Sequence, residues 1–175
     1  MQTPMPDVTL IEGNLSFIFE DVDFAEKYDD WKHYRNQYSP ACGGSKAVDF
    51  IVSKHDEIWL IEVKDFRHHK RTKAIDLADE IALKVRDTMA GIVSAKFLAN
   101  DHGESETSRS ALYCTKLRVA FHLEQPRQPS RLNPRSVDPA NIKMKLRQIL
   151  RFADPHLIVF NCRSFPARLG RVESI

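Results

Sequence analysis

Three charged side chains are set into the most apolar stretch of the chain. Residues 47–65 read AVDFIVSKHDEIWLIEVKD, and Asp49, Glu62 and Lys64 stand there among β-branched and aromatic residues. Two carboxylates and an amine brought together can hold a hard divalent cation, share a proton, or form a buried ion pair. Whether they meet depends on the backbone. Residues 47–53 and 58–64 both read as strands, separated by the polar turn 54–57. A hairpin closing over that turn pairs Ser53 with Ile58. Counting outward then sets Asp49 opposite Glu62. Opposed side chains project to one side of a sheet with Cβ atoms about 5 Å apart. Lys64, two residues beyond Glu62, falls on the same side. Two like charges at about 5 Å in an effective dielectric near 20 cost about 3 kcal/mol. Against a domain stability of about 5–15 kcal/mol, that repulsion demands a proton, an ammonium group or a cation. The competing reading is a structural acid–lysine pair at a strand end.

Other elements must position these residues. Residues 15–19, LSFIF, read as a short strand. Phe24, Tyr28, Trp31 and Tyr38 fit one face of a helix over residues 21–37, with Asp21 or Asp23 as its cap. Ser39-Pro40 and Gly43-Gly44 end it in a loop. After the hairpin comes a basic connector, residues 66–73. Ala78, Ile81, Ala82, Val85, Met89, Ile92 and Val93 then mark an amphipathic helix over residues 74–98. In it Lys84 could approach the site, but it ranks no higher than a surface residue. Residues 100–110 are polar and read as a loop. Residues 117–123 alternate as a half-buried strand, and residues 124–139 form a proline-rich excursion. Asp138-Pro139 starts a helix reaching Arg151, which buries Ile142, Leu146, Ile149 and Leu150 and exposes Lys143, Lys145, Arg147 and Arg151. Residues 157–162, LIVFNC, close the chain's pattern as a fully buried strand. The order predicts an α/β sandwich around a mixed central sheet.

The 175 residues suit one domain, with a core over about residues 15–123 and a basic C-terminal extension over 124–175. Residues 115–175 carry 12 Lys and Arg against 4 Asp and Glu, an excess of 8 that can meet a polyanion. Residues 1–114 carry 14 against 20 and balance it. No apolar run is long enough to span a bilayer, and the start of the chain has no secretory pattern. Cys42, Cys114 and Cys162 form no CxxC pair, so their spacing indicates neither zinc nor disulfides, and free thiols in a reducing cytoplasm are expected.

Val48-Asp49, a short hairpin and Glu62-Val63-Lys64 resemble the PD-(D/E)XK phosphodiesterase superfamily, the restriction-endonuclease-like nucleases. Val48 stands where a proline often precedes the aspartate. The resemblance covers residues 21–123, a little over half the chain, and implies an α-β-β-β-α-β core. It also implies a metal-dependent nuclease acting on DNA, with Asp49, Glu62 and the Val63 carbonyl holding Mg²⁺ or Mn²⁺. Lys64 would orient the attacking water, and an acid from the first helix, Asp30, would complete the catalytic set. Glu26 and Asp29 would point away. Arg67, Lys70 and Arg71, just past the catalytic strand, would contact backbone phosphates. Many such enzymes pair, so a homodimer is an expectation too. The alternative is a non-catalytic nucleic-acid-binding or assembly module on the same fold.

Overall fold

A computed structural model of the chain describes residues 5–69, 71–126, 128 and 137–175. Among the described residues, eight strands form two sheets and three α-helices pack on one side. β1 (Val8–Glu12), β2 (Leu15–Phe19) and β8 (Gly170–Ser174) make an antiparallel three-stranded sheet in the order β1-β2-β8. Of these only β2 was expected. β3 (Phe24–Lys27), β4 (Phe50–Lys54), β5 (Glu57–Asp65), β6 (Lys116–Glu124) and β7 (Ile158–Phe160) make the second sheet in that order. β3, β4 and β5 are antiparallel, while β6 and β7 run parallel to β5, so the sheet is mixed as predicted.

The β4–β5 register is the one the alternation predicts. Ser53 faces Ile58 and Phe50 faces Ile61, and the ladder continues to Lys54 opposite Glu57. The reversal is therefore a two-residue turn and not four. His55 and Asp56 both take positive φ, 49° and 65°, the backbone that matches the twist of a two-residue hairpin. Without glycine this needs support, and Thr115 supplies it: its amide donates to Asp56 Oδ1 at 2.9 Å.

Alternation along the second sheet separates two cores. Phe50, Val52, Trp59, Ile61, Val63 and Ala120 pack toward the first sheet with Phe17 and Phe19. Ile51, Leu60, Val119, Phe121 and Leu123 pack toward the helices. α1 (Leu77–Leu98) lies across that second side and buries Ala78, Ile81, Val85 and Ile92; Asp76 caps it by accepting from the Ala78 amide at 2.9 Å. α3 (Pro139–Ile149) starts at Asp138 as predicted and buries Ile142 and Leu146. Ile149 and Arg151 fall outside the buried face.

Three expectations of secondary structure fail. The fully buried strand over residues 157–162 shortens to Ile158–Phe160, of which only Phe160 is buried. The helix over residues 21–37 is absent. Residues 24–27 instead add to the open edge of β4, followed by a single 3₁₀ turn (Tyr28–Asp30) and a π-type turn (Tyr34–Tyr38). The aromatic spacing survives without the helix, since the rings of Tyr28 and Trp31 pack at a tilt, centroids 5.0 Å apart, in the helix-side core. Residues 100–110 are not a loop but most of α2 (His102–Tyr113). Asp101 caps it by accepting from Gly103 and Glu104. Few apolar residues mark it because only Glu104, Ser108 and Ala111 are buried. Most of the excursion 124–139 lies outside the described residues. Among the described residues no helix is long and apolar enough to cross a membrane.

Candidate functional site

Asp49, Glu62 and Lys64 converge on the helix side of the second sheet. Asp49 immediately precedes β4, and its Oδ2 accepts from the Val63 amide at 2.6 Å, locking it across from Glu62. Two hydrogen bonds from the preceding segment to α1 aim it: Lys46 N to Asp87 Oδ2 at 2.9 Å and Val48 N to Thr88 Oγ1 at 3.0 Å. Asp49 and Glu62 are 6 % and 1 % exposed, so their charges must be met inside the protein. Lys64 Nζ bonds Glu62 Oε1 and lies 3.4 Å from the Val63 carbonyl. Lys84, ranked from the sequence no higher than a surface residue, reaches in from α1. Its Nζ is 2.7 Å and 2.9 Å from the two Glu62 oxygens and 3.7 Å from Asp49 Oδ1. Burial lowers the affinity of Lys84 for its proton, but the Glu62 and Asp49 charges overcome it and leave the pKa raised. Its position on the buried stripe with Ile81, Val85 and Thr88 was the overlooked signal: a lysine on an apolar face needs an internal carboxylate.

Asp29, and not Asp30, faces the cluster. Tyr28 N donates to the Asp49 carbonyl at 3.0 Å, which pins the 3₁₀ turn over the site. Carboxylate oxygens of Glu12, Asp29 and Asp49 all lie within 4.8 Å of one another. Burial, then the Asp49 charge, raises the Asp29 pKa to about 6; burial, then Glu62, raises that of Asp49 to about 7. Asp29 Oδ1 is buried without a hydrogen-bond partner among the described residues. Asp30 is exposed and pairs with Arg35. The helix that was to carry Asp30 inward does not form, and a 3₁₀ turn presents the neighbouring acid. Glu26 points elsewhere, accepting from Trp31 Nε1 and Thr107 Oγ1, each at 2.9 Å.

Of the three basic residues expected at phosphates, Arg67 is bound to Asp65 at 2.6–3.1 Å and to Ser174 Oγ at 2.6 Å. Arg71 bonds Glu80 Oε2 at 2.7 Å. Lys70 lies outside the described residues. Glu80, 1 % exposed, also takes Lys73 at 2.5 Å. Burial alone would raise its pKa, but hydrogen bonds from Lys73 and Arg71 hold it at about 2. Beside the cluster opens a cleft of about 420 Å³ whose lining includes Asp29, Arg35, Lys46, Lys73, Glu80 and Lys84.

No family description and no solved structure matches this chain. Among curated proteins it is similar to the cysteine–tRNA ligase of Neisseria meningitidis serogroup A, 34% identical over 173 residues, covering 80% of this chain. The chain spans about a quarter (25%) of that protein's length. This finding overturns membership of the PD-(D/E)XK superfamily, and with it the reading as a Mg²⁺-dependent deoxyribonuclease or endonuclease. The relative is named as a ligase of tRNA, not as a nuclease. The structure offers a physical reason for the misreading. An acid, a hairpin and Glu-x-Lys is a short pattern that charge pairing alone satisfies, and both Glu62 oxygens are taken by ammonium groups.

Proposed function

We propose that the chain is a nucleic-acid-binding module directed at tRNA, without nuclease chemistry. The observation that carries it is the row Lys143, Arg147 and Arg151. The first two lie on α3 and the third just past its end. The spacing of four residues sets Lys143 and Arg147 on one stripe, about 6 Å apart along the helix axis, and Arg151 joins them in the lining of one groove. Lys143, Met144, Arg147 and Arg151 line an open groove of about 610 Å³. Among the described residues Lys143 and Arg151 have no acidic partner, so their charge is available to phosphates. The excess of 8 positive charges in residues 115–175 and the name of the matched ligase support the same reading.

We further propose a restriction-endonuclease-like sandwich as the architecture alone, and residues 1–175 as one unit. β8 returns to pair with β2, and α3 and β7 pack on the core, so the basic extension is built into both sheets. A Mg²⁺ or Mn²⁺ ion fits the acidic half of the cluster. Among the described residues Asp29 Oδ1 has no hydrogen-bond partner, and Asp29, Asp49 and Glu12 offer the oxygen ligands a hard cation prefers. The ion would supply positive charge where three carboxylates meet. Glu62 is committed to Lys64 and Lys84, which hold that carboxylate in place without it.

The test is fluorescence anisotropy with labelled tRNA against duplex DNA of equal length. The expected result is tighter binding of tRNA. Reversing Lys143, Arg147 and Arg151 to glutamate should weaken it at least about tenfold and lower the salt slope by about 2–3. Unchanged affinity in the triple variant overturns the assignment of the face. Duplex DNA binding as tightly as tRNA overturns the choice of ligand. Sedimentation of the complex reads whether one copy or a homodimer binds.

A further inference from the structure

The opposite face of the second sheet brings together His122, Glu124 and Cys162. His122 and Glu124 alternate along β6 toward the first sheet, and Cys162 follows β7, whose Phe160 pairs with His122. One ligand atom from each residue lies within 4.8 Å of the other two. The His122 side chain is fully buried, in T-shaped contact with Phe17 and Phe160, ring centroids 5.0 and 5.1 Å apart. Its Nε2 comes to 3.1 Å from Glu124 Oε1, yet off the ring N–H line. Neither ring nitrogen has a hydrogen-bond partner among the described residues. A buried imidazole without such a partner is costly.

A shared metal ion would produce such an offset. In a hydrogen bond the acceptor lies on the N–H line. In a metal centre the ion lies on that line, and the other ligands stand to its side. In a tetrahedral shell with Zn–N near 2.0 Å and Zn–S near 2.3 Å, neighbouring ligand atoms sit roughly 3.5 Å apart. Small side-chain adjustments within 4.8 Å reach that spacing. Glu124 is already oriented, because its Oε1 accepts from the Cys162 amide at 2.6 Å. A pocket of about 330 Å³, lined in part by Glu124, Asn161, Cys162 and Arg163, opens on the cluster. It gives an entry path and room for a water as fourth ligand. Arg67 lies near Glu124 and Cys162, and Asp65 matches its charge.

We infer that His122, Glu124 and Cys162 bind one borderline-soft divalent ion of the zinc type, through nitrogen, oxygen and sulfur. The Cys162 thiol releases its proton to solvent on binding. One imidazole nitrogen, one carboxylate and one thiolate with an open fourth position is a zinc-type set, and hard cations select against it. The site lies on the other side of the sheet from Asp49 and is independent of the tRNA reading.

Titration of Co²⁺, then Zn²⁺, into the full chain tests this. We expect one Co²⁺ per chain with thiolate-to-cobalt charge-transfer absorption and intense tetrahedral visible bands, both displaced by Zn²⁺. Cys162→Ser should lose the charge-transfer absorption, and Glu124→Gln should bind at least about tenfold more weakly. Both positions are only half-buried, so these variants keep the fold that His122→Gln would put at risk. Absence of the charge-transfer absorption in the wild type overturns the proposal. So does its persistence in Cys162→Ser, which would place the ion on Cys42 or Cys114.

Discussion

Replacing Asp49 by asparagine should stabilise the protein, although the residue is buried and hydrogen-bonded. In the folded chain the carboxyl is held at about 7 against an ordinary 3.8, because burial and Glu62 both disfavour its charge. A folded pKa above the unfolded one adds stability that is complete below pH 4 and is lost as the pH rises through 7. At about 1.4 kcal/mol per tenfold change in proton affinity, the ionised group costs the folded state up to about 4 kcal/mol above pH 7. Asparagine keeps the Val63 amide contact through its carbonyl and removes the repulsion between the Asp49 and Asp29 charges. It loses the attraction to Lys84, 3.7 Å away, which returns part of the gain. We expect a net stabilisation of about 2 kcal/mol at pH 8, or about 4–8 °C in melting temperature for a chain of this size. Urea unfolding followed by circular dichroism, in chelator, at pH 4, 5, 6, 7 and 8 measures it. The gap should close toward pH 4. A variant no more stable than the wild type at pH 8, or a gap indifferent to pH, refutes the reasoning.

Other outcomes follow from the same contacts. With Mg²⁺ or Mn²⁺ at ten times its dissociation constant, wild type should gain about 1.4 kcal/mol by linkage and Asp49→Asn little, as calorimetric titration and melting will show. Glu80→Gln should cost about 2–3 kcal/mol at pH 7, because Arg71 and Lys73 lose their carboxylate. With the folded pKa at about 2, this stability is present above the unfolded value and lost as pH falls toward 2, so the variant's deficit should shrink on acidification. Gly91→Ala should destabilise by about 1–3 kcal/mol by overpacking, despite the gain of about 1 kcal/mol in helix propensity. The new Cβ would sit 2.0 Å from the Tyr28 hydroxyl and 3.0 Å from Tyr38 Cε1. A more stable variant in urea would show that Tyr28 gives way. Asp30→Asn, at an exposed position paired with Arg35, should stay within about 0.5 kcal/mol of wild type.

The hairpin was legible because its information is local. Strand alternation and a tight reversal leave one register that buries Ile51, Leu60, Phe50 and Ile61, and that register alone brings Asp49 to Glu62. α1 was legible from its repeated apolar stripe, although neither its cap Asp76 nor its start, expected at residue 74, was; α3 was legible from its stripe and from Asp138-Pro139. Asp101 with Glu104 three residues on was a similar signal for α2, obscured by a nearly polar helix whose glutamate side chain accepts from Lys32 and His33 instead. The nuclease reading went further than its residues allowed. It rested on three positions whose meeting is equally well explained by charge pairing.

Local pattern thus determined the elements whose stabilising contacts lie within a few residues: β4, β5, β6, α1 and α3, and the convergence of Asp49, Glu62 and Lys64. Tertiary structure decided everything that required one element to find another. The open edge of β4 drew residues 24–27 into a strand against their helical spacing, and that choice put Asp29 over the cluster in place of Asp30. Packing of α1 across the sheet carried Lys84 to Glu62. The meeting of β6 with the end of β7 assembled His122, Glu124 and Cys162, although 38 residues separate Glu124 from Cys162 in the sequence. Periodicity records which face of an element is buried; it holds no record of what lies opposite, because that contact is made only when distant segments pack together.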